Sequence, residues 1–386
     1  MRHEDMKVEG MHEGKKAEGI SRARFLGLAG AVGAGALLPA APATARDRCP
    51  APRGLRHRGV VYEVGAGESP ATAWRAERAR ADLRAIRDRL HADTVKITGD
   101  GVERLTATAE AAAELGLRVW LEPTLGDVPA GDILDHLAQT GRFAERLRRQ
   151  GVPVQLNVGC EFLLFVPGIV PGATMVERIE NLTKGAFDPV RVARELRRFT
   201  ARAAAVGRSV FHGPLSYAAA QDEDVDWDLF DLVCLDYYGD HPTAAGHVEE
   251  LRTYRRPGKP LAISEFGTCT FKGAPSSGGM GWDVVDYTKD PPEIKGGLVR
   301  SEATQAAYLT DVVGVFASMG LYAAMAYTFV TPDAPHRAEP RLDLDMASYS
   351  LVKTVRDRPA DPDSPWHWEP KQSFHALARA YARHRR

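Results

Sequence analysis

The chain holds 386 residues, of which 44% are hydrophobic and 26% charged, with 50 Lys and Arg against 51 Asp and Glu. This is the make-up of a globular protein long enough to bury a core without cross-links. A formal net charge of −1 with no block of like charges excludes a polyanion-binding surface, so nucleic acid is not an expected partner. Cys49, Cys160, Cys234 and Cys269 show neither CxxC nor Cys/His zinc spacing, and neither a metal nor a cofactor is expected.

The first segment reads as an address. Ser21-Arg22-Ala23-Arg24-Phe25-Leu26 leads into a Gly/Ala-rich apolar run ending at Leu38, and Ala43-Thr44-Ala45 supplies small residues for cleavage. The arrangement resembles a twin-arginine export signal, with Ala23 standing where the second arginine belongs. The run is short for a membrane span. The expectation is cleavage near Ala45, secretion, and one folded domain over 46–386 with no stable membrane span, acting as a monomer.

Within that domain, helical patterns alternate with short apolar runs, often across a glycine. Gly116, Gly151, Gly207, Gly258 and Gly320 each precede a β-like segment: Leu117–Leu121, Val152–Val158, Arg208–Phe211, Lys259–Ile263 and Leu321–Tyr327. A glycine closing a helix in the left-handed cap and feeding a buried strand is the αβ connection of a parallel sheet. Gly59–Val64, Thr94–Ile97 and Leu232–Tyr237 bring the strands to eight. Helices are expected at Ala79–Leu90, Leu105–Leu115, Ile133–Arg149, Pro189–Val206, Val248–Arg255, Glu302–Met319 and Gln372–His384, with at most one helical turn around Trp227–Phe230.

Eight such units predict an α/β fold, a single-domain (β/α)8 TIM barrel. The rival doubly wound sheet would carry a glycine-rich phosphate loop after its first strand, and Val64-Gly65-Ala66-Gly67-Glu68-Ser69 is a poor version of one. Residues 163–188 and 267–300 are too long for simple connections. In a barrel both follow strand ends on the functional face.

Two of those strand ends carry a glutamate amid apolar neighbours: Gly159-Cys160-Glu161-Phe162 after strand 4 and Ser264-Glu265-Phe266-Gly267 after strand 7. Two carboxyl groups facing one pocket are what glycosidic bond cleavage needs, one protonated and one ionised. Pro260-Leu261-Ala262-Ile263-Ser264-Glu265-Phe266-Gly267 resembles the strand-7 motif of the retaining (β/α)8 glycoside hydrolases of clan A, the group of endoglucanases and mannanases. That resemblance implies Glu161 as general acid/base, Glu265 as nucleophile, and a tyrosine of Asp236-Tyr237-Tyr238 as the group that hydrogen-bonds the nucleophile. It also implies an asparagine directly before the acid/base, where this chain has Cys160, a weak donor. The chain as a whole is similar to actinobacterial exported proteins described as abortive infection proteins, which implies no mechanism.

A carbohydrate is thus the expected partner. Lys96 and His212 are candidates for bonding sugar hydroxyls, and Trp282, Trp120, Tyr327 and Phe329 for aromatic platforms beside Tyr237 and Tyr238; Trp282 stands out because it sits in a glycine-rich loop. A non-catalytic glycan-binding barrel and a barrel transglycosylase or lyase are the alternatives. Serine hydrolysis has no G-x-S-x-G elbow to support it.

Overall fold

The computed structural model describes residues 54–383; the leader segment and Cys49 lie outside them. Eight parallel strands close on themselves: β1 (His57–Val64), β2 (Thr94–Gly99), β3 (Arg118–Pro123), β4 (Val154–Cys160), β5 (Leu215–Ala220), β6 (Val233–Tyr237), β7 (Leu261–Phe266) and β8 (Ala323–Ala326). Each strand pairs with its neighbours in the chain, and β8 pairs with β1. The predicted barrel is the observed fold, and no sheet edge remains in it.

Helices α1 (Ala76–Asp88), α2 (Val102–Glu114), α3 (Ala130–Arg149), α6 (Pro189–Val210), α7 (Ala244–Thr253), α8 (Glu302–Ser318) and α9 (Gln372–Arg383) form the outer layer. After β4 come a short turn of helix, α4 (Phe162–Phe165), and α5 (Met175–Thr183). Between β5 and β6 the chain makes a single 3-10 turn, Trp227–Leu229. An antiparallel ribbon of Val352–Arg356 and Trp366–Pro370, not foreseen from the sequence, precedes α9.

Four of the five junction glycines have positive φ: Gly116 at 76°, Gly151 at 87°, Gly258 at 73° and Gly320 at 62°. Gly207 is the exception and displaces the fifth strand from its expected place. It lies inside α6, where an added Cβ would sit 2.9 Å from Leu215 and 3.0 Å from Val158. It is there so that the helix can approach β4 and β5 closely. Arg208–Val210 therefore finish the helix, Phe211 caps it, and the strand is Leu215–Ala220.

Strand alternation sorts the side chains into two cores. Tyr62, Ile97, Leu121, Leu156, Leu235 and Ile263 point outward into the layer shared with the helices. Inward, the register aligns Val61 with Lys96, Lys96 with Trp120, and Trp120 with Gln155; the next level holds Glu63, Thr98 and Glu122. The lumen is thus polar toward the C-terminal ends of the strands.

The glycines give a contrasting pair of tests. Gly207→Val should overpack the α6 contact and destabilise the fold by about 1–3 kcal/mol. Gly314→Ala, in α8 where a Cβ meets nothing within 4 Å, should stabilise it by about 0.5–1 kcal/mol. Urea midpoints at unchanged m-value read both; equal behaviour of the two variants would contradict the close approach at Gly207.

Candidate active site

The site starts from an ammonium with no access to water. Lys96 on β2 is 0% exposed, and its Nζ donates to Glu122 Oε2 on β3 at 2.9 Å and to Glu265 Oε1 on β7 at 2.8 Å. Charges buried this way persist only where partners fill the remaining hydrogen-bonding positions. Glu122 accepts further bonds from Thr98 Oγ1 at 2.9 Å and Asn157 Nδ2 at 2.8 Å. Asn157 in turn accepts from Ser216, whose Oγ accepts from Gln155 Nε2 at 2.8 Å. Glu265 Oε2 accepts from Tyr238 OH at 2.9 Å.

Glu265 reaches the lumen through an irregularity. By strict alternation from Ala262, which faces inward, Ser264 would point in and Glu265 out. The register shifts there by one residue, so that Asp236 opposes Glu265, and both Ser264 and Glu265 serve the lumen. A second shift lies between Asn157 and Cys160 on β4. It leads to Glu161, whose backbone is left-handed at φ 40° and ψ 54° and whose side chain is nearly buried.

Asp236 adds a third carboxyl to the Glu161 and Glu265 pair. Burial first, then the charge of Glu265, with Glu161 and Glu122 adding, pushes it well above the usual carboxylate range, against the pull of Lys96. The fold therefore favours its protonated form. Its Oδ1 accepts from Ser264, and its Oδ2 has no hydrogen-bond partner among the described residues. Burial and the charge of Glu265 likewise hold the Tyr238 phenol in its neutral, donating form. The charge of Glu161 adds to the upward push on both Asp236 and Tyr238.

The mouth above these groups is covered. Trp282, from the loop after β7, packs against two clusters at once, the one that holds Trp120, Tyr238, Tyr327 and Tyr349 and the one that holds Cys160, Leu164 and Phe165. Tyr349, from the segment after β8, pins this loop by accepting from Gly281 N at 3.0 Å and donating to Gly278 O at 2.8 Å. Glu265 is 0% and Glu161 6% exposed beneath it.

Of the expected site residues, the structure gathers Glu161, Glu265, Lys96, Tyr238, Trp282, Trp120 and Tyr327 in or over the lumen, Tyr327 donating to Glu63 Oε1 at 3.0 Å. Three expectations are corrected. Tyr237 has the opposite parity to Tyr238 and points outward, its OH 2.7 Å from His247 Nδ1 and donating to Glu250 Oε2 at 2.8 Å. Phe329 packs outward against Tyr62 and Trp368. His212 precedes β5 rather than following it, so it stands at the opposite end of the barrel beside Glu145, its side chain 62% exposed. Cys160, in the asparagine position, packs with Leu164, Phe165, Met175 and Ile179.

Glu122, Asn157, Asp236 and Tyr349 were not anticipated as site residues. For the first two a signal was present. Lys96 and Thr98, Trp120 and Glu122, and Gln155 and Asn157 repeat a polar or amphipathic residue at every second position of otherwise apolar strands.

No protein-family model and no curated protein matches the chain. Among solved structures it is similar to a calcium-binding mutant of Bacteroides uniformis β-glucuronidase 2, at TM-score 0.52 and 15% identity over 84% of this chain and 34% of that one. It is also similar to the β-glucuronidase of Ruminococcus gnavus in complex with a C6-substituted uronic isofagomine, at TM-score 0.51 and 15% identity over 85% and 50%. A third is Fpglu1 from Fervidobacterium pennivoraus, at TM-score 0.52 and 11% identity over 85% and 95%. The chain spans half or less of the length of the two glucuronidases. These likenesses establish the barrel; they give no support to the resemblance to abortive infection proteins.

The proton on Asp236 has a consequence for stability. Unfolded, the group ionises above about pH 4; folded, it stays protonated to a much higher pH. Folding takes up a proton in that window, so this group's contribution falls as pH rises. Asp236→Asn should remove that slope, and its stability relative to the parent protein should improve from pH 5 to pH 8. Urea midpoints at the two pH values test this; parallel slopes would mean Asp236 is ionised in the fold.

Proposed function

We propose that this protein hydrolyses O-glycosidic bonds of an uncharged glycan by a retaining mechanism, with Glu161 as general acid/base and Glu265 as nucleophile. The observation that carries the reading is the treatment of Glu265. A carboxylate wholly removed from water is held by an ammonium and a phenol, while a second glutamate ends β4 within the same field.

In the first step Glu161 gives its proton to the leaving oxygen as the glycosidic bond breaks, and a Glu265 oxygen bonds to the anomeric carbon. In the second, Glu161 takes a proton from water, whose oxygen replaces Glu265 at that carbon. Lys96 and Tyr238 hold the departing carboxylate in place, one on each oxygen. Asp236, neutral, adds no charge to repel it.

Charge also bears on the substrate. Lys96 is committed to Glu122 and Glu265, and nearby Lys371 to Asp345 and Arg300 to Asp343 and Asp345. An uncharged sugar suits this surplus of carboxyls better than a uronate does. Entry requires the loop of Trp282 to lift, which breaks the Tyr349 bonds to Gly278 and Gly281. Trp282 then serves as a platform for a sugar ring. Secretion after cleavage near Ala45 belongs to the same proposal.

One observation favours a second reading. Cys160 packs among apolar side chains where the clan's asparagine would contact substrate, as in a barrel that binds glycan without turnover. Aryl glycosides of neutral sugars and of uronic acids, offered to the unmodified protein, separate these. Turnover of the neutral set, lost by on the order of 10³-fold or more in Glu265→Ala, is the expected result. Binding without turnover would support the second reading, and turnover unchanged in Glu265→Ala would remove Glu265 from the mechanism.

A further inference from the structure

Glu161 occupies a backbone conformation that residues with a Cβ avoid, and the chain is held there from outside the segment. Its own N–H donates to Ala218 O on β5 at 2.9 Å. Its carbonyl accepts from Leu164 N at 2.8 Å and Phe165 N at 3.2 Å, which closes the short turn of α4. The N–H groups of Phe162 and Leu163 point away from that turn and need other acceptors.

Two buried side chains supply them. Tyr217 OH, on β5, accepts from Phe162 N at 2.7 Å and donates to Glu223 Oε2 at 2.7 Å. Glu223 Oε1 accepts from Leu163 N at 3.1 Å, and Oε2 also accepts from Ala220 N at 3.1 Å. The Tyr217 ring lies 4.5 Å from that of Phe162, centroid to centroid, and Phe162 meets Phe199 edge-on at 4.8 Å. Neither Tyr217 nor Glu223 belongs to the network around Lys96 and Glu265. Their polar atoms are spent on the two residues after Glu161 and on β5 itself.

We infer that Tyr217 and Glu223 are positioning residues for the general acid, fixing the backbone at 161–163 so that the Glu161 carboxyl meets the leaving oxygen. This rests on Glu161 being the acid. Glu223→Gln turns an amide nitrogen toward a donor in either orientation, because both oxygens now accept. Tyr217→Phe deletes the atom that links the Phe162 N–H to Glu223.

A misplaced acid harms a substrate in proportion to its need for protonation, which a general loss of packing does not. The experiment compares kcat/KM for the phenyl and the 2,4-dinitrophenyl glycosides of the neutral sugar that the protein turns over. It uses the full chain and the variants Glu223→Gln, Tyr217→Phe and Glu161→Ala, with folding checked by circular dichroism. The clamp variants should lose about 10- to 100-fold on the phenyl glycoside, the order expected for roughly 1 Å of misplacement, and less than about threefold on the dinitrophenyl one. Glu161→Ala should show the same split, more strongly.

Equal losses on both substrates, or none, in the clamp variants while Glu161→Ala shows the split would overturn the inference alone. No split in Glu161→Ala would overturn the acid assignment and the inference with it. Should Glu223→Gln fail to fold, Tyr217→Phe carries the same comparison.

Discussion

The structure depends on one buried ammonium. Lys96 lies among Glu122, Asp236 and Glu265, out of reach of bulk solvent, and removing such a partner typically costs about 3–5 kcal/mol because the ions left behind stay buried. The surrounding chemistry follows from keeping this arrangement tolerable. Thr98 and Asn157 complete Glu122, Tyr238 completes Glu265, and Asp236 avoids the problem by keeping its proton. These groups come from β2, β3, β4, β7 and the end of β6, so only a closed barrel with its register intact can supply them together.

How much of this was legible in the sequence depended on whether a local rule was also the rule the fold used. The barrel was readable because left-handed glycines at 116, 151, 258 and 320 stop helices for a backbone reason that acts locally. Gly207 looks the same in sequence, yet it is small because a strand passes close by, and nothing local reveals that. The misplaced fifth strand, and His212 with it, follow from that ambiguity.

The site shows the same division. Tyr237 and Tyr238 are adjacent tyrosines, and alternation sends only the second into the lumen. Glu265 was found through a motif even though alternation alone would have turned it outward, since the bulge on β7 is a tertiary feature. The long loops after β4 and β7 were apparent from their length. The segment after β8, which supplies Tyr349 to hold the Trp282 loop, contains no glycine to mark it as a functional loop, and its role rests on tertiary contacts alone.

Barrel closure imposes an order on assembly as the chain leaves the ribosome. Lys96 and Glu122 are 26 residues apart and can meet within a half-barrel, whereas Lys96 and Glu265 are separated by 169. Strand β1 waits longer still for β8, and Tyr381 in the last helix donates to Gly59 O at 2.8 Å across 322 residues. Strand β1 therefore passes most of synthesis with one edge unpaired, and the inner faces of β1 to β4 stay wet. Loop closure over such spans is slow, which makes the incomplete barrel the stage most exposed to misassembly. Beside Val61 and Trp120, that inner face carries Lys96, Thr98, Glu122 and Asn157, and these polar groups lower the apolar area an incomplete barrel offers to other chains.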